Sequence, residues 1–398
     1  MYDAIVIGAR CAGSPTAMLL ARKGYRVLLL DKAHFPSDTM STHLLWPHGA
    51  ELLDRWGLLD RLAATGCPPV ALRMIFDVGP FALKGGVMEP NRGRGGFCPR
   101  RTVLDKILVD AAVESGVELR QDVTVDGLQW EGDQVVGVKG HSRNALANER
   151  ARITIGADGT HSMVAKEVGA VEYQTRPPLA TFYYSYYSGF EIEDVEQYVR
   201  EYRGAACFPT HDGLTLIAGA WPSSQFADVR ADVDAHINAV HALAPSVADR
   251  MRGAARETKW VGTAGVPNFF RMPYGPGWAL VGDAGHTQDP ITAQGISDAF
   301  IDAEHFADAV DAGFSDRRLL EDALADCAAE RDRRVTPLYD FTCELAMLAP
   351  PPPEMQHLFG ALRNNQEATN AFFAAITGAA PLPAFMNPEN LGRIIGGA

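Results

Sequence analysis

The chain has 398 residues, 47% hydrophobic and 21% charged, a globular composition that excludes disordered and collagen-like classes. A formal net charge of -13 disfavours nucleic acid and anionic membrane as partners and leaves a small molecule as the expected ligand. The length exceeds what one hydrophobic core usually organises, so two domains with a C-terminal appendage are expected.

Six cysteines, Cys11, Cys67, Cys98, Cys207, Cys327 and Cys343, are scattered without a CxxC pair. This is the pattern of reduced thiols in a cytoplasmic protein rather than of a disulfide framework. The first apolar run, residues 4–7, begins almost at the initiator and leaves no room for a signal-type leader. No run approaches the roughly 18 apolar residues of an integral membrane segment.

Residues 2–32 read as strand, glycine turn, helix and strand. The Ala/Leu-rich helix ends at Gly24, and the all-apolar Val27–Leu30 forms a buried parallel strand, completing a right-handed βαβ unit. Helical pattern continues over residues 49–64, with a break at 67–69. Residues 72–87 are short and strand-like, and 91–96 form a glycine and arginine loop. A helix is expected over 102–115, followed by a β-meander over 118–119, 123–130, 135–138 and 152–155. Residues 180–220 alternate aromatic and small side chains and include a hairpin-like stretch from Cys207 to Trp221, so a mostly antiparallel sheet is expected there. A helical stretch follows over 229–257, then a buried strand at 278–281, a Gly/Asp/Pro loop and a helix over 296–312. The four prolines at 350–353 break helix and open a C-terminal segment.

Two motifs carry chemistry. In Gly8-Ala9-Arg10-Cys11-Ala12-Gly13 the first glycine suits a tight bend and the third suits helix-on-strand packing, with phosphate on the helix N-terminus. Arg10 occupies the place of the middle glycine. Asp31 follows the second strand about twenty residues on, where ribose hydroxyls need an acceptor. Pro15 is tolerated because the first helical turn has no intrahelical donor to lose. The second motif is Gly282-Asp283-Ala284-Gly285-His286, with Pro290, Gln294 and Gly295 after it. An acidic residue after a buried strand accepts from a polyol, and the glycines let a helix N-terminus approach an electron-rich ring.

The order Gly8–Gly13 with Asp31, then Arg101-x-x-Leu104-Asp105-x-x-Leu108, then Gly156-Ala157-Asp158-Gly159, then Gly282-Asp283 with Pro290 and Gly295, resembles the single-component flavoprotein monooxygenases of the para-hydroxybenzoate hydroxylase fold. The resemblance covers roughly residues 1–345. It implies an α/β fold with a Rossmann-like FAD-binding domain (1–72, 97–175 and 265–345), a mostly antiparallel substrate domain (73–96 and 176–264) and a helical C-terminal segment (346–398). It also implies FAD contacts at Gly8, Arg10, Ala12, Gly13, Asp31, Lys32, Arg101, Val125, Asp158, Gly282, Asp283, Pro290, Gly295 and Ile296. Asp158 and Gly159 would serve both FAD and a transient NAD(P)H. Asp283 would bind ribitol, and the loop from Pro290 to Gly295 would lie against the isoalloxazine. Three positions depart from the family pattern: Arg10, Ala165 with Lys166 beside it where an arginine is usual, and Ser297 where asparagine is common. For Arg10 the readings are a cation on the pyrophosphate, a cation over the flavin edge, or a side chain in solvent.

Other constellations are weaker. His43 and His48 follow a loop expected near the flavin and could handle protons, against the plainer reading of hydrogen-bonded loop histidines. His286, beside Asp283, reads as a hydrogen-bonding neighbour. The run Phe182 to Tyr187 puts alternate rings on opposite sheet faces, so Tyr184 and, further on, Trp221 stand as pocket candidates with core packing as the alternative. No hydrolase elbow, HExxH helix or cysteine cluster is present, so no metal site is expected. The expected activity is an NAD(P)H-dependent monooxygenase hydroxylating or epoxidising an aromatic or lipophilic small molecule with dioxygen, through a C4a-hydroperoxyflavin as the resemblance implies. The rival is a flavin-dependent reductase of isoprenoid double bonds, since Cys207-Phe208-Pro209 before Asp212-Gly213 resembles a hairpin of those enzymes. A halogenase reading lacks a WxWxIP segment, and a non-catalytic flavin-binding protein is the alternative outside enzymes.

Overall fold

The computed structural model describes residues 1–87, 94–143, 146–192 and 194–396. Of the expected glycine and arginine loop, residues 91–93 lie outside the described residues.

The first sheet runs in the order Tyr274–Gly275, Trp278–Leu280, Leu146–Gly156, Tyr2–Ile7, Val27–Leu30, Glu118–Arg120. Every neighbouring pair is parallel except the hairpin of the first two. All four residues of Val27–Leu30 are buried, as a parallel strand covered on both faces requires. Helices Gly13–Arg22, Arg101–Glu114 and Gly295–Phe314 share one core beneath the sheet. The antiparallel meander Thr124–Glu131 with Gln134–His141 and the short helix Met163–Glu167 cover the other face. The chain leaves Tyr2–Ile7 toward Val27–Leu30 on one side, while Leu146–Gly156 joins on the other. The turn after Ile7 therefore lies at a topological switch point, where open α/β sheets open a crevice for ligands.

The second sheet runs Ala255–Arg256, Ala180–Ser188, Thr215–Pro222, Arg203–Pro209, Glu196–Arg200, Met74–Asp77, Ala82–Gly85. It is antiparallel apart from the pairing of Glu196–Arg200 with Met74–Asp77. Register settles which residues share a face, because directly opposed residues do. Phe182, Tyr184 and Tyr186 stand opposite Ala220, Ala218 and Leu216, which in turn oppose Gly204, Ala206 and Phe208. This face packs toward the C-terminal helices Pro353–Leu362 and Gln366–Ile376, while Tyr183, Tyr187 and Trp221 face the helices Val233–His241 and Pro245–Met251.

Three expectations need correction. The helix over 49–64 is two helices, Pro47–Arg55 and Leu59–Ala63, split where Gly57 takes φ 76°. The helical stretch over 229–257 stops at Met251, and Ala255–Arg256 instead extends the second sheet beside Tyr187 and Ser188. The longest helix, Leu320–Ala346, has no sequence counterpart above; it is rich in charge and carries Pro337 inside, which hides its apolar stripe.

Candidate functional site

The groove at the switch point is made largely of backbone. Gly8 takes φ +102°, and a Cβ there would lie 2.3 Å from the Ala157 carbonyl oxygen. A Cβ on Gly13 would lie 1.8 Å from the Gly8 oxygen. Both positions need glycine for close approach rather than flexibility. No side chain caps Gly13–Arg22, so the positive end of that helix faces the groove. Asp31 Oδ2 accepts from the Ala9 N–H at 2.6 Å and Oδ1 from the Ala33 N–H at 2.7 Å, tying the turn to the second strand by charge-assisted bonds. Lys32 is exposed beside it and Val125 is half-buried on the meander.

The second motif meets the first directly. Gly282 takes φ +58°, and a Cβ on it would stand 2.6 Å from the Ala12 Cβ. The next residue, Asp283, is exposed, and its Oδ1 lies 4.0 Å from where a Cβ on Gly295 would be. Helix Gly295–Phe314 also starts without a side-chain cap, with Gly295 exposed and Ile296 buried. The turn Pro290–Thr292 before it is fixed from four directions. The Asp289 N–H donates to Asn268 Oδ1 at 2.6 Å, Trp46 Nε1 donates to the Thr292 oxygen at 2.9 Å, Thr292 and Thr342 hydroxyls bond at 2.7 Å, and Gln294 Nε2 donates to the Ile376 oxygen at 3.4 Å. Burial pushes the Asp289 carboxyl up to about 7.

Arg10 is held by an ion pair and by the loop at Ser37. Its guanidinium bonds Asp105 Oδ2 at 2.6 Å and Ser37 Oγ at 2.9 Å, and lies 5.4 Å from the Phe35 ring centroid. Arg101, buried, bonds the same Asp105 through Nε and Nη2, both at 3.0 Å, and lies within electrostatic reach of Asp283. Asp105, fully buried, is thus the organiser of both arginines. Sequence reading named it within the motif but gave it no role, although the i,i+4 spacing of Arg101 and Asp105 was a signal. Asp158 Oδ2 caps Met163–Glu167 by accepting the Met163 N–H at 2.7 Å, while its buried Oδ1 has no partner.

His43 is fully buried with φ 63°. Its Nδ1 lies 2.7 Å from the Ser41 carbonyl and so donates, leaving Nε2 to accept from the Tyr186 hydroxyl at 2.7 Å. Burial lowers this imidazole to about 4, and His48 likewise to about 4, so both rings are neutral at pH 7. Tyr184 packs edge-on to His43 at 5.5 Å. Trp221 is on the opposite sheet face in the core with Ile237, away from the recess described next. That apolar recess, about 70 Å³, opens between the face carrying Phe182, Ala206, Phe208 and Ala218 and the turn residues Pro290, Ile291 and Ala293. Strand parity places its lining, which no local sequence signal marks.

Residues 1–337 match the family model described as FAD binding domain, and the chain belongs to this family. The solved relatives fit the para-hydroxybenzoate hydroxylase-like flavoprotein fold that the motif order implied. The chain is 25% identical to conditioned medium factor receptor 1 of Dictyostelium discoideum over 361 residues, 81% of this chain but 66% of that protein. It is 26% identical to the digeranylgeranylglycerophospholipid reductase of Methanocella arvoryzae, with 75% of this chain and 74% of that one covered. It is 26% identical to the 6-methylpretetramide 4-monooxygenase of Streptomyces rimosus, with 84% and 81% covered. Among solved structures, the myxobacterial chondrochloren halogenase superposes with TM-score 0.80 at 21% identity, covering 100% of this chain and 97% of that one. Among the described residues no helix is long and apolar enough to cross a membrane.

Proposed function

We propose that this protein is a cytoplasmic, NAD(P)H-dependent FAD monooxygenase that transfers one oxygen atom of dioxygen to an aromatic or lipophilic small molecule. The observation that carries the reading is the apolar recess abutting the Pro290–Thr292 turn, beside the uncapped helix start that suits an electron-rich ring. Bound FAD supplies the redox and oxygen-activating chemistry; the chain supplies binding, orientation and dryness.

The groove fits that cofactor. Gly8 and Gly13, where a Cβ would collide with backbone, let the turn close tightly beside Ala12, at an uncapped helix start suited to pyrophosphate. Asp31, with lone pairs to spare beyond Ala9 and Ala33, suits the ribose, with Lys32 and Val125 flanking it. Gly282 and Asp283 suit the ribityl hydroxyls, while Pro290, Gly295 and Ile296 border the ring. Arg101 and Asp158 stand at the edge, and Arg10 acts by holding Asp105 and the loop at Ser37. On the substrate side, Phe182, Phe208 and Ile291 exclude water, and next to Thr42 of the lining His43 forms a neutral hydrogen-bonded pair with Tyr186.

A second reading, reduction of an isoprenoid double bond, is favoured by the Methanocella relative and by Phe208 of Cys207-Phe208-Pro209 lining the recess. One experiment separates the two. The FAD-loaded protein is given NADH or NADPH and a panel of planar aromatic and isoprenoid substrates, with labelled dioxygen or anaerobically. Label in the product supports the monooxygenase; an anaerobically saturated product overturns it in favour of the reductase.

A further inference from the structure

Behind Asp283 lies a buried charge cluster that the reading above does not use. Asp298 and Asp302, one turn apart on Gly295–Phe314, are 7% and 9% exposed. Arg334 of helix Leu320–Ala346 bridges them at 2.6 and 2.7 Å. The His286 ring lies between the same carboxylates, Nε2 3.8 Å from Asp298 and Nδ1 3.9 Å from Asp302. It stacks on Phe270 at 5.4 Å, and its Nδ1 has no hydrogen-bond partner. The expected hydrogen-bonding neighbour of Asp283 is therefore a ring held just outside bonding distance of two anions.

Charge counting says what this ring is suited to. The two carboxylates share the one guanidinium of Arg334. Arg331, the other cation facing the ring, is committed to Asp332 at 2.7 Å and to the Gly285 and Arg271 carbonyls. Tyr173, stacked on the same Phe270, donates to Asp332 as well. A neutral imidazole has one N–H and must turn a lone pair toward a carboxylate, whereas the cationic ring offers a donor to each. Burial opposes that state and holds the imidazole below its ordinary value, against the pull of Asp298 and Asp302. His286 is also electrostatically coupled to Asp283, which opens on the groove. Around the same carboxylates, Gln288 Oε1 and Arg334 Nε are buried without partners, the kind of atoms that ordered water satisfies and that let a proton arrive.

We infer that His286 is a redox-linked proton acceptor. When bound FAD gains two electrons from a reductant, one proton from solvent goes to the flavin and a second to the His286 ring, so the total charge of the complex is unchanged. The negative charge gained by the cofactor is then met by an imidazolium already flanked by Asp298 and Asp302. A negative charge gained in the groove raises the proton affinity of a ring already facing two carboxylates. His286 is a positioning residue that acts through charge, and the inference rests on FAD occupying the groove.

The test is a potentiometric titration of the FAD-loaded protein across about pH 5.5–8.5, the range in which imidazole titrates. Each proton taken up per two electrons moves the midpoint by about 30 mV per pH unit. Wild type is expected to show a two-proton slope near neutral pH where His286→Gln shows one. Asp302→Asn keeps the ring but removes one carboxylate, and should move the change of slope to lower pH. Equal slopes in wild type and FAD-loaded His286→Gln overturn the inference. Should His286→Gln hold no FAD, an unchanged crossover in Asp302→Asn does so. Wild-type protein that binds no FAD would instead overturn the cofactor reading.

Discussion

Two hollows meet at the Pro290–Thr292 turn, and they are built from different materials. The groove is walled by backbone and by carboxylates with fixed partners: Gly8 and Gly13 have no space for a Cβ, and Asp31 is tied to two N–H groups. The recess is walled by apolar side chains from segments far apart in sequence, with alanines and two glycines in its lining. Atom overlap governs the first, so nearly any change is felt; side-chain volume governs the second, so it can be reshaped with the sheet intact. Relatives named monooxygenase and reductase, and a halogenase of similar fold, have the use of such a separation.

The largest expected effect is on the groove side. In Gly13→Ala the new methyl would sit 1.8 Å from a backbone oxygen, which no rotamer relieves. Loss of roughly 3 kcal/mol or more is expected, together with loss of FAD, read by thermal unfolding and by the flavin absorbance retained after gel filtration. A variant that stayed yellow and equally stable would show that the turn is not held as tightly as the geometry requires.

The same contrast explains what the sequence made legible. The strand, turn and helix over 2–32 could be read because glycine and a terminal Asp are local demands of one tight turn, and Val27–Leu30 was bounded to the residue. The four motifs in order located the groove. The recess could not be read, since whether even or odd residues of 180–188 face it depends on pairing with strands and helices elsewhere. The ion pair of Arg10 could not be read for a related reason, its partner Asp105 being 95 residues away. His286, Asp298, Asp302 and Arg334 come from three segments, and no single spacing announces them.

The titration of His43, buried against Tyr184 and Tyr186, gives the next effect. Its folded-state value of about 4 is below the ordinary one of about 6.5, so between those pH values the unfolded chain binds a proton that the folded chain refuses. Stability present above pH 6.5 is therefore lost as pH falls toward 4, by up to about 3 kcal/mol from this residue. His43→Asn keeps a donor for the Ser41 carbonyl in the place of Nδ1 and suits the left-handed backbone, and it should flatten that acid limb in urea titrations at several pH values. An unchanged limb would assign the loss to the other buried histidines, His48 and His241.

Asp283 should matter less to the fold than to the ligand, since its carboxylate is exposed in the groove. Charge-assisted bonds to ribityl hydroxyls make Asp283→Ala cost about 1.5–3 kcal/mol of FAD affinity, or one to two decades in Kd. Turnover should largely return in excess FAD, with Asp283→Asn milder. Tight FAD with no turnover would make the residue catalytic and displace the ribityl chain from it.

The smallest effect on cofactor and fold is expected on the recess side. Ala218 lies on the recess between Tyr184 and Ala206 on the neighbouring strands, so Ala218→Leu projects into the hollow instead of into packed core. Stability should change by less than about 1 kcal/mol, and FAD affinity by less than about threefold. Substrate is another matter: a side chain in its place costs about 1–3 kcal/mol, which is roughly 5- to 150-fold in KM for bulky substrates. Ala205→Leu is the control: next to Ala206, it borders the recess with its backbone while its side chain packs on the opposite face, in the core with Trp221 and Ile237. There the same added volume has no hollow to fill, and stability should fall by about 1–3 kcal/mol without a selective loss of large substrates. If Ala218→Leu instead released FAD, or both variants lost substrates alike, the two hollows would not be separable and the recess would not be the place where substrate is chosen.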